Sequence, residues 1–234
     1  MPIVKSSYKP PLFFKNGHIA TTYSGLLRRV RGVSQERERI GLRDDDILYL
    51  DWSYSLTTTS KLVIVLHGLE GNAQRPYMLG TAKHFNVHGY DTVCVNFRGC
   101  TGEENKQYRS YHSGATDDLE DIIQFIINEK NYSEIYLKGF SLGGNIVLKY
   151  LGESNEVPEQ IKGAMAVSVP CYLSGSAKAL HKLENKLYAE YFLLFLKKRL
   201  KIKQEHFPSR ITKNQIRSIK TWMEINTGIV SYLI

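Results

Sequence analysis

The chain predicts an α/β fold on a mainly parallel central sheet, and three observations carry that prediction. Apolar, β-branched runs alternate with helical patterns through residues 58–170. The helical stretches are long enough to serve as right-handed crossovers between parallel strands. The third central run leads into Gly139-Phe140-Ser141-Leu142-Gly143, the form of a sharp strand-to-helix turn.

Each element has a local reason. Glu38–Leu42 and Asp46–Trp52 flank the acidic turn Arg43-Asp44-Asp45 and read as an antiparallel hairpin; with what precedes them they form an N-terminal extension over 1–57. Leu56 to Ser60 is a loop. Lys61–Leu66 is an almost unbroken apolar run, as expected of a strand covered on both faces. Asp91–Phe97, Glu134–Lys138 and Ile161–Val169 are the strands that follow. Helices are expected over Tyr77–His88 and Ala115–Asn128, the second with a buried stripe of Leu119, Ile122, Ile123, Phe125, Ile126 and Ile127. Asn145–Leu151 continues the sharp turn as an apolar helix. Asp117 and Asp118 fall in a first helical turn, where negative charge is favoured. After Pro170 the alternation stops. Residues 171–221 read as a helical cap, with Leu187, Tyr191, Leu194, Phe195 and Leu196 ahead of Lys197-Lys198-Arg199.

Composition narrows the classes. With 42% hydrophobic and 23% charged residues, the 234-residue chain has the make-up of an ordinary globular protein. No apolar run approaches the ~20 residues of a membrane span, and Met1–Lys5 lacks the apolar core of a signal peptide. Cys94, Cys100 and Cys171 lack metal-ligand spacing, so a reducing cytoplasmic setting without a metal is expected. The net charge of +8 is local: Lys178 to Lys220 holds twelve Lys/Arg against three Glu. With no RNA-binding aromatic signature or helix-turn-helix cue, nucleic acid is not an expected partner.

The pentapeptide has the G-x-S-x-G form of a nucleophile elbow, in which small residues let a strained turn lift the Ser141 Oγ clear of a sheet. Gly139 and Gly143 supply the small positions. Acyl transfer also needs two backbone N–H groups for the oxyanion, one from the residue after the nucleophile, here Leu142. The second is expected from the loop after the first central strand, His67-Gly68-Leu69-Glu70-Gly71, and is assigned to Leu69. Losing one such donor costs on the order of 3–4 kcal/mol of transition-state stabilisation. His67 and Gly68 are expected to shape that loop, and Arg98 and His112 to shape loops near the site.

A serine of this kind needs a histidine base and an orienting carboxylate, in the chain order Ser, Asp/Glu, His. Beyond Ser141 there is no aspartate, and the histidines are His181 and His206. Neither these nor His112 has a placement that recommends it as base.

The chain resembles the YheT-like α/β-hydrolases, related to the mammalian ABHD1, ABHD2 and ABHD3 group. The resemblance rests on Pro10-Pro11-Leu12-Phe13-Phe14-Lys15-Asn16-Gly17-His18, Thr21-Thr22-Tyr23, Leu26-Leu27-Arg28-Arg29, the 67–71 loop, Asn96 to Cys100, Tyr111 to Gly114 and Gly139 to Asn145. It implies an α/β-hydrolase fold and a serine carboxylesterase of short-chain or lipid-like esters that uses no metal or organic cofactor. Similar proteins run on, adding two strands that bring the catalytic Asp and His. Residues 222–234 depart from the family pattern, so a truncated chain (frameshift, premature stop or split gene) with impaired activity is expected. Its last strand would then be an apolar edge in need of a partner chain. The alternatives are a non-catalytic binding or scaffold protein on the same fold, and an acyltransferase using the same serine.

Overall fold

Six strands form one mixed sheet in the computed structural model, which describes residues 3–154 and 156–220. The divergent tail expected over 222–234 lies outside the described residues. The strands are β1 (Glu36–Gly41), β2 (Ile47–Ser53), β3 (Lys61–Leu66), β4 (Asp91–Asn96), β5 (Glu134–Phe140) and β6 (Ile161–Val167), in the spatial order β1-β2-β4-β3-β5-β6. β3 lies between β4 and β5 and is parallel to both, and β6 continues the parallel set beside β5. The expected hairpin forms, with Ile40 opposite Leu48, and β2 runs antiparallel to β4.

The two faces of β3 show why its sequence is apolar from Leu62 to Leu66. Leu62, Ile64 and Leu66 pack with Leu119, Ile122, Ile123 and Ile126 of α3 (Thr116–Glu129) and with Ile146 and Val147 of α4 (Leu142–Glu153). Val63 and Val65 face the other way, onto Met78 and Ala82 of α2 (Pro76–Val87). A strand with period-two side chains and a helix layer on each side has no face left for polar residues. The stripe expected of α3 is present, with Phe125 and Ile127 only partly buried at its margins.

Ahead of the sheet, α1 (Gly17–Thr22) starts at Asn16, whose Oδ1 accepts from the N–H groups of His18 and Ile19, and runs into one π-helical turn at Tyr23–Leu27. After β6 come α5 (Leu173–Leu180), α6 (Lys186–His206) and α7 (Lys213–Ser218). The cap has a small core of its own, Leu196, Leu200, Ile211, Ile216 and Ile219. This differs from the expected apolar stripe on α6, since Leu187 and Leu194 are 80% and 67% exposed. The inward face of α6 is the i, i+4, i+7 set Leu196, Leu200 and Lys203 instead. Part of the basic block is therefore internal: Lys203 Nζ meets Asn105 Oδ1 and Glu104 at 2.7 Å. Among the described residues no helix is long and apolar enough to cross a membrane.

Candidate active site

Ser141 sits at the junction of β5 and α4 with φ +50° and ψ −117°, a left-handed backbone costly for a residue with a Cβ. The glycines flanking it make the turn possible. A Cβ on Gly139 would fall inside 3.0 Å of Gly143 O, and one on Gly143 would lie 2.6 Å from both Leu66 O and His67 O. The motif is thus a close crossing of α4 over the ends of β3 and β5. Ser141 N–H donates to Val167 O at 2.9 Å, which ties the turn to β6.

The loop after β3 lies against this turn: a Cβ on Gly68 would stand 3.3 Å from Ser141 Cβ. Leu69 and Leu142 both line the cavity that holds Ser141, about 670 Å³ in volume, with Ser113, Asn145, Ala177 and Phe192. Leu142 is the first residue of α4, whose N-terminus has no side-chain cap. Among the described residues no hydrogen bond engages Leu69 N–H or Ser141 Oγ. The free N–H groups and positive end of a helix favour a developing negative charge at such a place. Asn145, one turn along α4, gives Nδ2–H to Pro170 O while its buried Oδ1 finds no partner among the described residues.

His67 is fully buried. Its Nδ1 bonds to Gly68 O at 2.7 Å and its Nε2 accepts from Phe97 N–H at 3.3 Å. Burial drives its pKa down to about 3, so the ring is neutral and spends both nitrogens on the loop. Arg98 does not line the Ser141 cavity. It is 1% exposed and bonds to Asp118 at 2.6 and 2.9 Å, Asp44 at 2.8 Å and Asp46 at 2.7 Å. It joins the hairpin turn to the start of α3, so Asp118 serves an ion pair as well as a helix N-terminus. His112 Nδ1 accepts from Gly114 N–H. His181 caps the end of α5, and His206 Nδ1 bonds to Ile202 O on the exposed end of α6. Among the described residues no histidine or carboxylate lines the Ser141 cavity.

Sequence reasoning left out a group that holds the loop. Glu70 has φ +53°, and its N–H donates to Tyr111 Oη at 3.0 Å while the Tyr111 hydroxyl donates back to Glu70 Oε1 at 2.9 Å. Arg199 of α6 reaches the same carboxylate at 3.1 and 3.2 Å and donates to Gly99 O at 2.8 Å, with its guanidinium over the Tyr111 ring. Burial opposes the charge on Arg199, but Cys100, Tyr111 and Glu70 more than offset it and raise its pKa. Glu70 and Arg199 are 129 positions apart, and no local pattern links them.

Comparison with known proteins bears on the family and the fold. Residues 61–203 match the family model described as alpha/beta hydrolase fold. YheT of Escherichia coli (strain K12) is 30% identical over 231 residues, covering 97% of this chain and 67% of its own. Human phospholipase ABHD3 is 25% identical, with 99% and 58% covered. Against the embryogenesis-associated protein EMB8 of Picea glauca the chain spans 39% of the relative's length. Among solved structures, the Pyrococcus furiosus esterase Pf2001 superposes with a TM-score of 0.54 at 22% identity, over 67% of this chain and 63% of its own, a likeness of fold. With its sheet order, its turn at Ser141 and these matches, the chain belongs to the alpha/beta hydrolase fold family, in the group that contains YheT and ABHD3.

Proposed function

We propose that the chain carries the nucleophile and oxyanion half of a serine carboxylesterase site for short-chain or lipid-like esters. Ser141 Oγ attacks the ester carbonyl, the N–H groups of Leu69 and Leu142 take the oxyanion, and water resolves the acyl-enzyme. His67, Gly68, Gly139 and Gly143 set the backbone that aims these groups. The observation that carries the proposal is the left-handed backbone of Ser141 at the end of a parallel strand, over a cavity that Leu69 and Leu142 also line. A residue other than glycine is held in such a conformation only where the surroundings enforce it. The names of ABHD3, a phospholipase, and ABHD2, a monoacylglycerol lipase, support an ester substrate.

No imidazole lines the cavity, so the 234-residue chain by itself is expected to acylate slowly. Among the described residues β6 is the last strand of the sheet, with Met165 half exposed and no strand paired on its outer edge, which offers a further strand a place to pair. We assign the base to a histidine supplied by a partner paired on that edge, since the residues of the sequence not described include no histidine. The lack of an imidazole also favours the second reading, a non-catalytic binding protein on the same fold.

The test is a fluorophosphonate probe on the 234-residue chain, with Ser141→Ala as control and intact mass as readout. One adduct per chain, slow to form and lost in Ser141→Ala, supports the nucleophile. An adduct that persists in Ser141→Ala overturns it. No adduct on a folded chain overturns it too, in favour of the binding protein.

A further inference from the structure

A second cavity, about 560 Å³, adjoins the first. Leu69 and Phe192 line both, so the two meet at the loop that carries the Leu69 N–H. One wall is the segment preceding the sheet, through His18, Thr22 and Gly25; the other is α6, through Leu187, Tyr188 and Tyr191. The Asn16-Gly17-His18 motif explains how this wall is held. Asn16 caps α1 and thereby fixes His18, whose Nδ1 bonds to Tyr188 Oη at 2.9 Å with the two rings stacked 5.6 Å apart. That bond closes the segment onto α6 across the cavity.

The chemistry of the lining selects its occupant. Arg75 donates to Glu70 O, and the Glu70 carboxylate is held by Tyr111 and Arg199, so these charges are engaged at the floor. His18, Thr21, Thr22, Glu184 and Leu187 are exposed and form the rim. Deeper in, the partly buried Leu69, Tyr77, Tyr188, Tyr191 and Phe192 remain for the ligand. Each cavity is within the ~300–1,000 Å³ of ordinary ligand sites, and together they exceed it.

We propose that the second cavity is another arm of the Ser141 site, that it takes a long apolar chain of the ester, and that residues 16–25 are a substrate-binding element. This rests on Ser141 being the nucleophile, and it decides for long-chain over short-chain esters. Gly25 provides the probe: a Cβ there meets nothing within 4 Å, so Gly25→Trp can project into the arm without a backbone clash.

The experiment uses the 234-residue chain with a C16 fatty acid bearing a terminal diazirine, cross-linked by light and mapped by peptide mass spectrometry. Adducts are expected on peptides spanning 17–28 and 187–197. Adducts confined to the 171–182 peptide beside Ser141, or none at saturating probe, overturn the proposal. Gly25→Trp is expected to weaken binding of a fluorescent C18 fatty acid at least ~10-fold. An unchanged affinity in a folded variant overturns the proposal. If Gly25→Trp does not fold, the cross-link map on the unsubstituted chain decides alone. Ser141→Ala retains the fatty acid and loses only the phosphonate adduct, so failure of the nucleophile and failure of the arm are read separately.

Discussion

Arg199→Met tests how far α6 holds the 67–71 loop. The substitution keeps much of the side chain's volume and removes its charge. It leaves the Glu70 carboxylate, 5% exposed, with only the Tyr111 hydroxyl among its side-chain donors. Gly99 O loses its 2.8 Å donor as well. Breaking a buried pair from one side costs roughly 3–5 kcal/mol, because the remaining charge stays buried without its partner. At ~2–4 °C per kcal/mol for a chain of this size, the midpoint should fall by roughly 6–20 °C. Thermal and urea unfolding followed by circular dichroism give the number. Glu70→Leu combined with Arg199→Met should recover most of the loss, because an apolar pair of similar volume replaces an ion pair at little net cost. A further consequence concerns Leu69, which precedes Glu70: phosphonate labelling of Ser141 should slow in Arg199→Met even at temperatures where the chain is fully folded. A loss below ~1 kcal/mol in Arg199→Met, or a double variant no better than the single, would refute the idea that the pair clamps the loop.

Gly139→Ala forces a Cβ against Gly143 O and should prevent the turn from forming, seen as loss of cooperative unfolding; Ser113→Ala, in the wall of the same cavity, should leave cooperativity intact. His67 links stability to pH. Its folded pKa of about 3 lies below its ordinary 6.5, so between these values the unfolded chain binds a proton that the fold excludes. Its contribution is present above pH 6.5 and is lost as pH falls, with a slope of up to about 1.4 kcal/mol per unit. His67→Asn should flatten the urea-midpoint profile between pH 6.5 and 4.5, and an unchanged slope would count against a buried neutral ring. Arg98→Met leaves Asp46 and Asp118 buried without their shared cation and should cost roughly 3–5 kcal/mol in urea unfolding. Asn16→Ala removes the cap of α1 and should cost about 1 kcal/mol, read as faster amide exchange at His18 and Ile19.

The parts of the fold legible in the sequence are those whose cause is local. β3 was readable because five consecutive apolar residues, Leu62 to Leu66, have one common reason, a helix layer on each side of the sheet. The turn at Ser141 was readable because two glycines and a strand–helix boundary coincide within five residues. Residues whose partners are distant were not readable. Arg199 and Lys203 stood in a basic block with nothing to mark them off from exposed neighbours, yet both are folded inward onto carboxylates about a hundred positions away. Arg98 was placed near the site because of its motif, but its side chain serves the hairpin turn and α3. On α6 the apolar stretch is only partly buried: Leu187 and Leu194 are exposed, and the buried face is Leu196, Leu200 and Lys203.

The position of Leu69 explains why the cap cannot be separated from the site. Its side chain packs against both the large core under the sheet and the small core of the cap. It also lines both cavities, and its backbone N–H is the one assigned to the oxyanion. The residue that follows it, Glu70, is bound on one side by Tyr111 of the loop before α3 and on the other by Arg199 of α6. A shift of α6 therefore cannot widen either cavity through Phe192 without pulling on the loop through Arg199. On the proposed roles, α6 would couple chain binding to oxyanion geometry, and a substitution that loosens it should weaken both together.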